Sequence, residues 1–138
     1  MTIELLYPLV TEAIRRAETL EDLQAPGARV AYLDVSILEE QVAEVLPASD
    51  PEGAVARRGA VRAALSANEQ DRARQLAERY LAEADGDTEL RSELRRLSEQ
   101  AERSAAARFP KVAARFGMPE VRRLARALIQ QGAPFPIS

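Results

Sequence analysis

Apolar residues recur every three or four positions along most of this 138-residue chain, and that spacing limits its fold more than any other feature. It places the apolar side chains on one face of an α-helix, whereas a half-buried strand alternates them every second residue. Proline or glycine separates most of the striped stretches. We therefore predict an all-α fold, in which residues 1–132 form a single-domain bundle of about six or seven helices and residues 133–138 a Pro-containing tail.

The predicted helix boundaries follow from these stripes and breakers. The first apolar stripe covers about 3–23. Its helix either begins near Tyr7 and Pro8, with the proline in its first turn, or is kinked at Pro8. Residues 30–35 also have the composition of a short strand, but an isolated strand would leave its backbone groups unpaired. We therefore favour a helix over about 28–46, ended by Pro47. Further helices are expected over about 51–65, from the next cap signal to about 84, from Asp87 or Thr88 to just before Pro110, and over about 112–117 and 119–132.

Residue patterns typical of helix starts mark three of these boundaries. Asp50 stands before a proline and supplies a capping carboxylate. Ser66 and Glu69 are spaced as in a capping box. Asp87 or Thr88 caps the helix that carries a heptad-like apolar seam. The apolar side chains expected to face the core include Leu6, Leu9, Val10, Val30, Ile37, Val45, Val55, Val61, Leu76, Tyr80, Leu90, Leu94, Leu97 and Ala101.

The third predicted helix contains two glycines among several alanines. Gly53 and Gly59 each weaken an isolated helix by about 1 kcal/mol relative to alanine. We therefore expect another helix to approach the third helix closely.

The chain has neither cysteine nor histidine, and this absence removes several classes of function. It excludes disulfides, thiolate nucleophiles, imidazole bases and the zinc or iron–sulfur sites that use those ligands. The single lysine, Lys111, precedes a valine in a stretch without glycine, so the sequence contains no phosphate-binding P-loop. We predict a protein that is not an enzyme and that uses no cofactor or metal ion.

Three carboxylates offer an enzymatic alternative. Glu39, Glu40 and Glu44 resemble the acidic set with which all-α nucleoside-triphosphate pyrophosphohydrolases hold magnesium. That resemblance implies a magnesium-dependent hydrolase. However, the sequence has no second Glu-x-x-Asp element on a neighbouring helix, and we favour a solvated acidic face.

Charge is unevenly distributed along the chain. Residues 1–53 contain 11 acids and 3 arginines, whereas residues 54–138 contain 11 acids and 16 bases, so the net charges are −8 and +5. Such asymmetry is typical of a basic binding surface or of complementary self-association. Folding can also intermix the two halves and cancel the field.

The segment 109–132 carries the most specific local pattern, FPKVAARFGMPEVRRLARALIQQG, in which Ala113 precedes Gly117 by four residues. It resembles a helix-turn-helix, whose second helix lies in the major groove of DNA. The same residues fit a packed helical hairpin with a glycine cap and a proline-started helix, and we favour that interpretation. The side chains that the resemblance implies would face DNA are Glu120, Arg122, Arg123 and Arg126.

These observations predict a helical interaction or adaptor protein that presents helix faces to a protein partner or to a second copy of itself. The alternative is a small DNA-binding transcriptional regulator that uses segment 109–132. The Pro-restrained tail at 133–138 either inserts into a partner as a short linear peptide or folds back across its own bundle, and we favour the second interpretation. No signal peptide or membrane span is visible and the arginine- and alanine-rich composition is typical of bacteria, so we expect a cytoplasmic bacterial protein without membrane contact. The predicted contact residues are Arg115, Arg122, Arg123, Arg126 and Phe135.

Overall fold

The computed structural model describes residues 2–108, which form five α-helices joined by short loops. No strand occurs among these residues, and residues 30–35 are helical, so the helical interpretation of that segment is confirmed. The predicted sixth and seventh helices, in segment 109–132, and the tail at 133–138 lie outside the described residues. None of the five described helices is long and apolar enough to cross a lipid bilayer. The helices are α1 (Ile3–Asp22), α2 (Ala28–Val45), α3 (Pro51–Ser66), α4 (Gln70–Leu81) and α5 (Thr88–Arg108).

Carboxylate caps begin α3 and α5, as the sequence predicts. Asp50 Oδ1 accepts a hydrogen bond of 2.8 Å from the backbone N–H of Glu52, and Pro51 occupies the first helical position. Asp87 Oδ1 accepts a hydrogen bond of 2.8 Å from the backbone N–H of Leu90. Each bond satisfies a donor that the first turn of a helix leaves without an intrahelical partner.

The predicted capping box at Ser66 is wrong, because Ser66 is the last residue of α3 and does not cap α4. Asn68 follows in the left-handed conformation at φ 62°, and the N–H of Glu69 bonds back to the carbonyl oxygen of Ala64 at 2.9 Å. This is Schellman geometry, and asparagine tolerates the left-handed region better than most residues. Glu69 then precedes α4 without a side-chain cap.

The structure decides between the two predicted positions of Pro8 in α1, and it ends α4 earlier than the sequence predicts. The helix α1 begins at Ile3, so Pro8 lies inside it and not in its first turn. Because proline has no N–H, the preceding turn loses one backbone hydrogen bond. The helix α4 ends at Leu81, earlier than predicted, where Arg91 donates hydrogen bonds to the carbonyl oxygens of Leu81 and Gly86 and holds the following residues in a loop.

The helix α3 is central to the bundle and contacts α2, α4 and α5. An added Cβ at Gly53 would overlap the carbonyl oxygen of Pro47, and one at Gly59 would overlap the carboxylate of Glu39. The expectation that small residues in this helix permit a close approach is therefore confirmed. The small residues that α3 buries are Gly53, Ala54, Ala56, Ala60, Ala63 and Ala64.

One core cluster draws apolar side chains from all five helices. The predicted seam of α5 is confirmed, because Leu90, Leu94, Leu97 and Ala101 are all buried. Several side chains that were expected to face the core are instead exposed, since a stripe read from the sequence is wider than the surface that neighbouring helices cover. These exposed side chains are Leu9, Val30, Ile37, Val45 and Val55.

Candidate interaction site

A groove of about 380 Å³ lies between α1 and α2. Five of its eight lining residues are apolar and three are charged, so its chemistry suits an amphipathic ligand better than a small polar one. A groove between two helices commonly accepts the apolar face of a third helix. The lining residues are Leu9, Glu12, Ala13 and Arg16 from α1 and Ala31, Asp34, Ile37 and Leu38 from α2.

Large apolar side chains in and beside this groove are exposed to solvent. Leu9 is 44% exposed and Ile37 is 41% exposed, although both line the groove. Leu5 precedes Leu9 by four residues and Val30 precedes Ile37 by seven, and these spacings place each pair on one helix face. The exposed large apolar residues of α1 and α2 on these faces are Leu5, Leu9, Val30 and Ile37. Clustered exposed apolar side chains rimmed by charges are typical of interaction surfaces.

Charged residues flank the apolar part of the groove. Glu12 accepts two hydrogen bonds from Arg15 Nη2, at 2.8 and 2.9 Å, in an exposed pair that contributes little to stability. Arg16 and Asp34 are exposed on the opposite helices of the groove. Charges at the edge of an apolar contact orient a partner and disfavour wrong ones more than they add affinity.

The groove could not be predicted from the spacing of the apolar residues alone, because that spacing assigns Leu9 and Ile37 to the core. The signal was present in the width of the α1 stripe, which contains adjacent apolar pairs at two successive turns, Leu5–Leu6 and Leu9–Val10. Adjacent helical residues point about 100° apart. Since α1 packs mainly against α2, Leu6 and Val10 are buried and their preceding neighbours are not.

A second concave region, of about 570 Å³, lies where the ends of α2 and α4 meet α3. The side chain of Arg57 is buried there and donates two hydrogen bonds to the Glu83 carboxylate, at 2.8 and 2.9 Å. It also donates to the carbonyl oxygens of Ala43, Leu46 and Gly53, at 3.1, 2.9 and 2.9 Å. A guanidinium has five N–H donors, and these five bonds use them all. Arg57 therefore joins helix ends and has no free donor for a ligand.

The aromatic ring beside Arg57 is equally engaged. The guanidinium carbons of Arg57 and Arg79 lie 5.4 and 5.3 Å from the centroid of the Tyr80 ring, within the range of cation–π attraction. Arg79 also donates a hydrogen bond of 2.7 Å to Glu40. Burial raises the pKa of Tyr80, so its hydroxyl remains protonated at neutral pH. We assign this second region a structural role.

The three carboxylates of the hydrolase alternative have separate environments. Glu40 accepts hydrogen bonds from Arg72 and Arg79. Burial opposes its ionisation, but the two arginines outweigh this effect and hold the pKa of Glu40 below its usual range. Glu39 is buried and Glu44 is exposed. No group of three Asp or Glu side chains placed to hold a metal ion occurs within residues 2–108.

Glu39 makes stability depend on pH. Burial raises the pKa of its carboxyl from an ordinary 4.5 to about 7, so the folded chain binds the proton more tightly than the unfolded chain. Its stabilising contribution is therefore complete below about pH 4.5 and is lost as pH rises through about 7. At about pH 8 we expect the free energy of unfolding of Glu39→Gln to be about 1–2 kcal/mol higher than that of the native chain. Near pH 4.5 the two values should be equal.

Urea denaturation of both chains at the two pH values measures this difference. Glu44→Gln is the matched control, because Glu44 lies on the same helix and is exposed. Its effect on unfolding free energy should be small, because an exposed side chain has few contacts to lose. A Glu39→Gln effect of equal size at both pH values would contradict the role assigned to burial.

The contact residues predicted from the sequence are not among those just described. All five lie outside residues 2–108, so the groove and the predicted contact set share no residue. They are Arg115, Arg122, Arg123, Arg126 and Phe135. No protein-family model, no curated protein and no solved structure matches this chain.

Proposed function

We propose that this chain is an interaction protein whose α1–α2 groove binds an α-helix of a partner protein. The observation that carries the proposal is the pair of partly exposed side chains, Leu9 and Ile37, that line one groove from opposite helices. Covering such side chains supplies binding free energy of about 25 cal/mol per Å² of apolar surface removed from water.

The chemistry of the lining supports a helical partner. Ala13, Ala31 and Leu38 complete the apolar lining, and the small alanine side chains leave room for a neighbouring backbone or a large side chain. A partner helix with apolar residues at positions i, i+3 or i+4, and i+7 would place them along the groove. Glu12, Arg16 and Asp34 would then face the polar sides of that helix.

A site-specific crosslink tests this proposal. A benzoylphenylalanine photocrosslinker at Ile37 should capture a partner protein in cells of the source organism. The same crosslinker at Val55 should not capture it, although Val55 is also exposed, because Val55 lies on α3 outside the groove. The captured protein is then purified and its affinity for the chain is measured by calorimetry.

Substitutions complete the test. Leu9→Glu should weaken the purified complex by about tenfold or more, because a charge would replace an apolar side chain at the centre of the contact. Val55→Glu should leave the affinity within about twofold, as expected of a residue outside the contact. Equal capture from both positions, or equal loss of affinity in both variants, would contradict the proposal.

DNA binding by segment 109–132 stays an alternative prediction, and its arginines are the sequence feature that favours it. It predicts that the full chain binds duplex DNA at about 50 mM salt and loses affinity steeply by about 200 mM, because phosphate contacts release counterions. Arg122→Glu with Arg123→Glu should abolish this binding. Fluorescence anisotropy of a labelled duplex measures it, and an absence of binding at the lower salt concentration would eliminate the alternative.

A further inference from the structure

We propose that residues 119–132 of the same chain occupy the α1–α2 groove, so that a partner helix must displace them. This inference rests on the proposed function, since it concerns the same groove. It makes the groove a regulated site, in which the chain itself supplies a competing occupant.

The apolar pattern of the segment fits the groove. Val121, Leu124 and Leu128 are spaced by three and four residues, which is the spacing of one apolar face on a helix. On the groove side, Leu9 and Ile37 are the large side chains left partly uncovered by the described residues' packing. A helix with Val121, Leu124 and Leu128 on one face would cover Leu9 and Ile37, and this contact would remove apolar area of both surfaces from water.

The charges of the two surfaces are opposite. The helices α1 and α2 together contain nine acids and three arginines. Residues 119–132 contain three arginines and one glutamate. The groove lining contains the two acids Glu12 and Asp34 and one arginine, Arg16, so its net charge is −1 and its carboxylates can face the arginines of the segment. Such complementarity selects this segment over an acidic one and makes its docking weaker at high salt.

The tether favours docking within one molecule. The last described helix ends at Arg108, and ten residues, 109–118, separate it from the segment. Ten residues can span up to about 33 Å, which is similar to the length of the bundle helices. A tethered ligand acts at an effective concentration on the order of millimolar, so it outcompetes the same segment of a second copy at micromolar concentration.

Engineered cysteine pairs test this arrangement in the full chain, which has no native cysteine. We expect Ile37→Cys with Leu128→Cys, and separately Ile37→Cys with Leu124→Cys, to form an intramolecular disulfide with oxidised glutathione. Closure should be about tenfold faster than in the matched control, Val55→Cys with Leu128→Cys. Val55 is exposed on α3 and is not among the groove-lining residues. Non-reducing electrophoresis separates the closed monomer from a disulfide-linked dimer.

Charge variants add a second measurement that does not depend on one cysteine geometry. Arg122→Glu with Arg123→Glu should slow closure several-fold, whereas Arg95→Glu with Arg96→Glu, at exposed positions of α5, should leave the rate nearly unchanged. Circular dichroism checks that each variant retains its helix content.

Three outcomes would overturn the inference: closure as fast from Val55 as from Ile37, disulfide dimers without closed monomer, or equal effects of the two charge variants. Dimers alone would identify a second copy as the occupant. The proposed function can fail separately. Rapid closure from Ile37 without capture of any partner would support the internal occupant and contradict partner binding, and the reverse result would do the opposite.

Discussion

Replacing Arg57 with methionine is expected to lower the free energy of unfolding by about 3–5 kcal/mol, because it removes a buried, fully bonded charge and leaves its partners unpaired. The carbonyl oxygen of Ala43 shows why the position matters. Its usual helical donor would be the N–H four residues later, but that residue is Pro47, which has none. Arg57 Nη2 supplies the missing donor at 3.1 Å. Without it, this carbonyl and the Glu83 carboxylate both lose a buried partner.

Arg57→Lys should lower the free energy of unfolding almost as much as Arg57→Met, because an ammonium group cannot form the bidentate hydrogen bonds that the guanidinium makes to Glu83. Arg62→Met is the matched control on the same helix. The Arg62 side chain is 58% exposed and its ion pair with Glu93 should contribute less than about 1 kcal/mol. Urea denaturation followed by circular dichroism measures all three variants. A loss of less than 1 kcal/mol in Arg57→Met would refute the assigned role.

Gly53→Ala is expected to lower the free energy of unfolding by about 2 kcal/mol, even though alanine favours helices over glycine by about 1 kcal/mol. The added methyl group would overlap the carbonyl oxygen of Pro47, which belongs to the backbone and cannot rotate away. The segment between α2 and α3 would have to move, which would disturb the hydrogen bond of 2.9 Å from Arg57 to Leu46. Thermal and urea denaturation of the variant measure this loss.

Gly59→Ala is the contrasting change six residues later in the same helix. Its methyl group would meet the carboxylate of Glu39, which is the mobile end of a long side chain and can turn towards solvent. At about pH 4.5, where the Glu39 contribution is complete, the gain in helix propensity should roughly cancel the displacement and leave stability within about 0.5 kcal/mol. The variant should also remove the stability change between pH 4.5 and 8 that Glu39 causes. Equal losses at Gly53 and Gly59 would show that steric overlap with the backbone is not the deciding factor.

Local patterns were sufficient to predict the five described helices and several of their ends. The spacing of Leu90, Leu94 and Leu97 predicts the buried seam of α5, and Asp50 predicts the start of α3. These features depend only on residues close in sequence. The capping box at Ser66 failed because two local motifs competed, and the left-handed turn at Asn68 was adopted instead.

The groove was harder to predict, because exposure depends on how many neighbours a helix has. The pattern of α1 does not show that α2 is its principal neighbour, and so Leu9 was placed in the core. The buried role of Arg57 was also missed, since its acceptors come from three separate parts of the chain. No local spacing links Arg57 to Glu83, 26 residues away.

The dependence of α1 on one principal neighbour has a thermodynamic consequence. Helices with few tertiary contacts detach at lower free-energy cost than the rest of a domain. Within residues 2–108, α2 is the only helix against which α1 packs extensively, so α1 can separate from the bundle by opening that one joint, and the groove lies along it. A ligand in the groove contacts both α1 and α2 and so stabilises the packing of α1 on the bundle. The free energy of local unfolding of α1 should therefore rise with the occupancy of the groove.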